Sequence, residues 1–307
     1  MTESNHRFGV VGILGRPNVG KSTLLNRLLG QKLAIATPKP QTTRDRIKGI
    51  RTFEDWQVVW VDTPGIHEAE TKLNRYMVEL AIATMSEVDL AYLLVDANKA
   101  VTNFDKTMEE TKRIVSHLER ANKTAFLVLN KVDKLADKGL LFSVIERFAP
   151  LYPFAEVVPV SAKSGSNVDA LLKATREKLP VGGRLYEEDE LTDRPVRYLA
   201  KEIVREQLFI LLGQELPYST AVDVLAWEEK GDGLVVIHAN IVVARKSHKP
   251  IVVGKGADMV RKVGERSRER IEKLIERKVF LDLRVKVDEG WTERDDKLKA
   301  LGYNELD

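Results

Sequence analysis

The chain predicts two folds in series: an α/β domain, with a mainly parallel sheet and helices on both faces, and then a smaller α+β module. Three observations predict this. From Phe8 to about Pro180 the apolar runs "GVVGILG", "VVWVDTPG", "LAYLLVDA", "AFLVLNKVD" and "EVVPVSA" alternate with helical patterns, as in a parallel sheet covered by helices. The stretch "GRPNVGKS", residues 15–22, places a glycine, four residues and then Gly-Lys-Ser between the first apolar run and a helix. Past the glycine-containing, acidic stretch "VGGRLYEEDELTDRP", the order changes to helix, strand, strand, helix, strand. A length of 307 residues suits two domains, with expected bounds 1–180, an interdomain linker 181–195, and 196–307.

Each element has its own signal. "FGVVGIL" reads as a buried strand, and "KSTLLNRLL" puts Leu24, Leu25, Leu28 and Leu29 on one helical face. "KGIRTF" and "WQVVWVD", separated by a short polar turn, predict an antiparallel pair. In the second half, "VRYLAKEIVREQLFILLG" is helical, "STAVDVLAWEE" and "GLVVIHANIVVAR" are strands, and "VFLDLRVKV" is a final strand. "IVVGKGADMVRKVGERSRERI" reads as a small-residue loop between an apolar strand and a basic amphipathic helix. The apolar face of that helix is Met259, Val260, Val263, Ile271, Leu274 and Ile275. His238 lies in an apolar strand and reads as structural.

Composition narrows the chemistry. There is no cysteine, which excludes disulfides, thiolate metal sites and a thiol nucleophile and fits a reducing cytoplasm. No apolar segment approaches the roughly 18 residues that span a bilayer. Net charge is only +3, so a nucleic-acid signal must be local. It is found between Arg245 and Lys278, where twelve Lys and Arg face five acidic residues.

The loop Gly15, Arg16, Pro17, Asn18, Val19, Gly20, Lys21, Ser22 and Thr23 is a phosphate cradle: its glycines let successive N–H groups turn inward at the positive end of the next helix. Lys21 would reach the outer phosphates, and the Ser22 hydroxyl would ligate magnesium. "DTPG", with Asp62, Thr63, Pro64 and Gly65, ends another strand, placing Asp62 for the magnesium shell and Gly65 for the terminal phosphate. "NKVD" supplies Asn130, Lys131 and Asp133. The Asp133 carboxylate can accept from the ring N–H and the exocyclic amine of guanine, a donor pair that adenine lacks. "SAK", with Ser161, Ala162 and Lys163, closes the base pocket with a backbone N–H toward the guanine oxygen. These loops all follow apolar strands, so they gather at one sheet edge and point to GTP and GDP as ligands.

In these motifs the chain resembles the translational GTPases and their relatives, and more closely the Era-type GTPases, in which a P-loop GTPase domain is joined to a type II KH domain. The resemblance runs from about Arg7 to the end. "PQTTRDR" is similar to the Era-type first switch, in which a threonine ligates magnesium when GTP is present; Thr43 is favoured over Thr42, although spacing alone does not separate them. Ile66 stands where Ras-like GTPases carry the glutamine that orients water, and an aliphatic side chain cannot do this. The resemblance implies another arrangement, with potassium near the phosphates and Asn18 as the asparagine associated with it. Lys21, Thr43, Gly65 and Asn18 are then the catalytic candidates. Intrinsic turnover should be slow, since even a Ras-type site with its glutamine reaches only roughly 10⁻⁴ per second unassisted.

The stretch Gly254, Lys255, Gly256 and Ala257 resembles the GXXG loop of KH domains, with alanine in place of the final glycine. The methyl group is tolerable if Ala257 already begins the helix. Arg261 and Lys262 follow as RNA-binding candidates. The resemblance implies a monomeric, cytoplasmic GTP-hydrolysing switch that binds small-subunit ribosomal RNA and assists maturation of the 30S subunit, with peripheral contact at the inner membrane. Two other classes fit less well: a constitutive RNA-binding chaperone whose GTP site is structural, and a peripheral membrane GTPase using the basic helix on anionic lipid.

Overall fold

The computed structural model describes residues 6–213 and 215–303. Two units form, one from residues up to 68 with 77–193, the other from 69–76 with 194 onward. The elements in chain order are β1 (Arg7–Gly15), α1 (Lys21–Leu29), β2 (Ile47–Thr52), β3 (Trp56–Asp62), α2 (Lys72–Glu87), β4 (Leu90–Asp96), α3 (Ala97–Thr102), α4 (Phe104–Ala121), β5 (Ala125–Asn130), α5 (Leu140–Phe148), β6 (Glu156–Pro159) and α6 (Val168–Lys178). There follow α7 (Val196–Leu211), β7 (Thr220–Glu229), β8 (Val235–Val243), α8 (His248–Val253), α9 (Asp258–Ile275), β9 (Val279–Val287) and α10 (Asp295–Ala300).

The first sheet has the order β2-β3-β1-β4-β5-β6. All its neighbours are parallel except β2 against β3, the pair that a short polar turn predicts. Strands β3, β4 and β5 are buried at every residue, because helices cover both faces. On one face Ala81 and Met85 of α2, Ile114 and Leu118 of α4 and Phe148 of α5 pack with Leu93, Val95, Leu127 and Leu129. On the other, Tyr92 of β4 meets Thr175 of α6. There Leu29 of α1 lies so close to Gly49 that a Cβ at residue 49 would come within 2.6 Å of it. Leu24, Leu25 and Leu28 are fully buried, each stabilising the helix on its sheet by about 2 kcal/mol. Successive strands run from β1 to β3 on one side and to β4 on the other, so the loop after β1 opens at the point where the strand order reverses.

Residues 182–193, most of the stretch 181–195 read as a linker from its composition, lie along the β2 edge as a strap. Leu191 O accepts from Ile50 N at 2.8 Å. Gln57, fully buried, accepts at Oε1 from Leu185 N and Tyr186 N and donates to Tyr186 O, at 2.9, 3.0 and 2.8 Å. Tyr186 covers Ile50, Val59 and Val61, and Lys48 pairs with Asp193 at 2.9 Å.

In the second unit β7 and β8 are antiparallel and β8 and β9 parallel, with α7, α8 and α9 contributing Leu208, Val252, Val263 and Ile271 to one core. Two expectations need correction. Residues 251–253 are not a strand but the end of α8. Pro250 sits in its first turn, where a missing N–H is harmless, and Val252 is carried into the core. Leu274 is 40% exposed, off the buried face that Val263 and Ile271 share. His238 is partly exposed and meets Asp282 of β9 at 3.1 Å.

Ala257 does not begin α9 as a helical residue. It caps it, at φ 64 and ψ 22, in the left-handed region where a Cβ costs roughly 1–2 kcal/mol. Replacing Ala257 by glycine, which completes the GXXG pattern, is therefore expected to stabilise the fold by about 1 kcal/mol. Chemical denaturation of the two proteins checks this; equal midpoints would show that the neighbouring turns already absorb the strain.

Candidate nucleotide site and basic loop

The loop after β1 is shaped by close approach. A Cβ at Gly15 would lie 2.7 Å from Leu94 O, one at Gly20 (φ +103) 2.3 Å from Asn130 Nδ2, and one at Gly65 2.6 Å from Pro17 N. Lys21 is buried, its Nζ donating to Gly15 O at 3.2 Å and Arg16 O at 3.1 Å, so the ammonium is folded back over the loop that would hold phosphates. Burial pushes its pKa down to about 8, against the pull of Asp62. The native state thus binds the Lys21 proton more weakly than the unfolded chain. Burying the ammonium costs stability below pH 8, and that cost fades between pH 8 and the ordinary lysine range. An incoming phosphate anion would offset it.

Ser22, Thr43 and Asp62 converge. Ser22 Oγ donates to Asp62 Oδ2 at 2.6 Å, Thr43 Oγ1 donates to the same oxygen at 3.0 Å, and the two hydroxyls are 2.9 Å apart. All three residues are buried, and burial raises the Asp62 carboxyl pKa against the opposing effects of Lys21 and the hydroxyls. Asp62 Oδ1 is buried without a hydrogen-bond partner. An orphaned carboxylate oxygen beside two hydroxyls fits a hard divalent cation such as magnesium, which takes one or two protein oxygens and leaves its other positions to phosphate and water. Among the described residues no cluster of three or more His, Cys, Asp or Glu could hold a metal alone, so the cation would depend on the nucleotide. Thr42 lines a pocket together with Lys21, Ser22 and Thr43. Thr63 donates to Ile13 O at 2.8 Å, Pro64 and Gly65 are buried, and Val19 is buried beneath the loop.

A cavity of about 750 Å³ adjoins the loop, lined by Asn18, Gly20, Thr23, Asn130, Asp133 and Lys163 among others. Asn130 ties its walls together, donating to Val19 O at 2.8 Å and accepting from Ala162 N at 2.9 Å. A guanine oxygen seeking the Ala162 N–H would have to share it with Asn130. Asp133 is exposed, with Oδ1 held by the Ser161 hydroxyl at 2.6 Å. Lys131, at φ 66, reaches across to Asn18 O and pairs with Asp96 at 2.7 Å.

Sequence reasoning missed two positioning residues. Arg27 of α1 donates to Ala162 O at 3.2 Å and Lys163 O at 2.5 Å, holding the loop of Ser161, Ala162 and Lys163 in place. It looks like any solvated helix arginine in the sequence. Asp96 had a signal, an acidic residue closing an apolar strand. The structure also buries the Ile66 side chain in the core, so it is packed among apolar residues as well as chemically inert.

The second unit carries the basic loop. Gly254 has φ 78, and a Cβ there would meet Met259 N at 2.7 Å; Gly256 has φ 60 and open space around it. Lys255, Arg261 and Lys262 are exposed around the turn, and Lys262 pairs with Asp258 at 2.8 Å. The open side at Gly256 leaves room for another backbone to approach, with cations on its rim.

Known proteins show the same two parts. A family model described as a 50S ribosome-binding GTPase matches residues 10–131, and one described as a KH domain matches residues 215–292. GTPase Era from Trichlorobacter lovleyi is 48% identical over 99% of this chain and 100% of its own length. GTPase Era from Geobacter metallireducens is 47% identical with the same coverage. Among solved structures, a single-residue variant of Aquifex aeolicus Era bound to GDP and AlF4⁻ has a TM-score of 0.91 at 36% identity, covering 97% of this chain and 99% of that one. Era in complex with MgGDPNP and nucleotides 1506–1542 of 16S ribosomal RNA has a TM-score of 0.92 at 36% identity and the same coverage. With identity at this level along its whole length, a P-loop before α1 and a KH module after it, this chain is a GTP-binding GTPase and belongs to the Era family.

Proposed function

We propose that the chain is a GTP-driven switch whose basic loop binds small-subunit ribosomal RNA during assembly of the 30S subunit. The observation that carries the RNA half is the GKGA turn itself, with open space over Gly256 and Lys255 and Arg261 exposed beside it. The 16S fragment held by a relative that aligns along almost the whole chain favours the small subunit. The family model that names the 50S subunit covers only residues 10–131, which lack this loop.

In the GTPase site, Lys21 would bind the outer phosphates, and Ser22, Thr43 and Asp62 would hold magnesium, which neutralises charge on the transferred phosphate. Potassium is proposed as a second cation at Asn18. That amide nitrogen donates to Pro38 O at 3.1 Å, so the cation would be met by the oxygen. A cytoplasmic monomer fits this role. No described helix is long and apolar enough to cross a membrane, and contact with the cytoplasmic membrane would be electrostatic.

RNA binding across a salt series tests the reading. Affinity for a single-stranded 16S fragment should fall steeply with salt, and Lys255→Ala should reduce the slope by roughly 0.7 if that side chain neutralises one phosphate. Gly256→Asp should weaken binding further, adding bulk and negative charge where the backbone approaches. Wild-type affinity and slope in both folded variants would show that the GKGA turn is not the RNA site.

A further inference from the structure

With Ile66 buried, the water that attacks the terminal phosphate must be oriented by another group. We propose that Gln41, in the segment before β2, orients it, and that His67 holds the Gln41 amide in position. This rests on the GTPase reading of the same site.

Gln41 borders two spaces. One is the phosphate pocket that it lines with Lys21, Ser22, Thr43 and Gly65. The other is a cavity of about 490 Å³ beside α4, which it shares with His67 and which is roomy enough for many waters at roughly 30 Å³ each. Gln41 has φ 56, a left-handed conformation that a non-glycine residue keeps only where its surroundings enforce it, and such strain gathers at functional sites.

The hydrogen bonds fix which way its amide points. His67 Nδ1 lies 2.6 Å from Gly65 O and His67 Nε2 lies 3.0 Å from Gln41 Nε2. A carbonyl oxygen can only accept, so Nδ1 carries the hydrogen, and in the neutral ring Nε2 is the acceptor. Gln41 therefore presents its NH₂ to the imidazole, and its Oε1 is left to accept from water. The relay begins on Gly65, the residue that ends the "DTPG" loop and lies against Pro17, so it registers the position of that loop relative to the phosphate cradle.

In the reaction, a lone pair on the water oxygen forms the new bond to the γ-phosphorus. The bond to the β–γ bridging oxygen breaks, its electron pair leaves on GDP, and the water proton passes to a phosphoryl oxygen. Gln41 takes no proton. It aligns the water and keeps one O–H engaged during the attack.

The test is kinetic. Gln41→Ala should lower kcat on the order of a hundredfold with GDP affinity within about twofold of wild type. His67→Ala should lower it by a smaller factor, and the double variant should be no slower than Gln41→Ala, because His67 acts only through Gln41. His67→Gln, whose amide oxygen can accept from Gln41, should recover part of the loss. Wild-type hydrolysis matched by Gln41→Ala would overturn the proposal and leave the GTPase reading standing. Nucleotide affinity falling in step with kcat, or losses that multiply in the double variant, would overturn it as well.

Discussion

Replacing Asp133 with asparagine is expected to move the base preference from guanine to xanthine by about a thousandfold, the effect of leaving two facing polar groups unsatisfied at roughly 1–3 kcal/mol each. The geometry supplies the reason. The Ser161 hydroxyl holds one Asp133 oxygen at 2.6 Å, and the carboxylate stands exposed at the cavity that Asn130 frames. Two carboxylate oxygens match the two adjacent N–H groups of guanine. Asparagine keeps one acceptor and substitutes a donor for the other, so the guanine amine would face an amide NH₂ with neither group satisfied. Xanthine carries an oxygen at that position and would accept from it. Competition between GDP and xanthosine diphosphate in an equilibrium titration measures the change directly. An unchanged preference would mean that Asp133 does not read the base.

Gly20→Ala should abolish tight nucleotide binding, weakening GTP and GDP alike by about a hundredfold or more, which corresponds to roughly 2.7 kcal/mol. Residue 20 sits at φ +103, and the added methyl would stand 2.3 Å from Asn130 Nδ2. That nitrogen donates to Val19 O, while the other end of the same amide accepts from Ala162 N. Pushing Asn130 aside would disturb the phosphate loop and the base loop together, on top of the backbone strain of about 1–3 kcal/mol for a non-glycine residue held in such a conformation. Nucleotide titration together with circular dichroism separates this from unfolding: a folded variant without nucleotide affinity is expected. Wild-type affinity would show that Asn130 can yield without consequence.

Much of the nucleotide half was legible in the sequence because each strand is a short apolar run that ends in a motif, and a buried parallel strand has no polar face to confuse its period. Residues 251–253 misled for a related reason. Ile-Val-Val has the β-branched composition of a strand, yet the chain has already turned at Lys246-Ser247 and entered α8 at His248, and of the three only Val252 is buried. The Gln41–His67 contact could not be read because it joins residues 26 apart, held together only once the segments before β2 and after β3 meet. Arg27 was hidden for the same reason, since its partners lie 135 and 136 residues away. Base chemistry singles out Asp133, and the structure sets it on the cavity wall; the strain at Ala257 was not legible, because nothing in the letters "GKGA" says which residue precedes the helix.

The strap along β2 has a consequence for solubility. A mixed sheet ends in an outer strand whose unpaired N–H and C=O groups can recruit a strand from another molecule, and proteins blunt such edges with a covering segment or with charge. Here Leu191 occupies the Ile50 N–H, Tyr186 seals the apolar surface beneath, and the acidic run Glu187, Glu188, Asp189 and Glu190 adds like charge that another copy would meet on approach. The segment that reads as a tether thus also guards the sheet against edge-to-edge aggregation, and a chain in which it came loose would expose both the β2 edge and the buried amide of Gln57 at once.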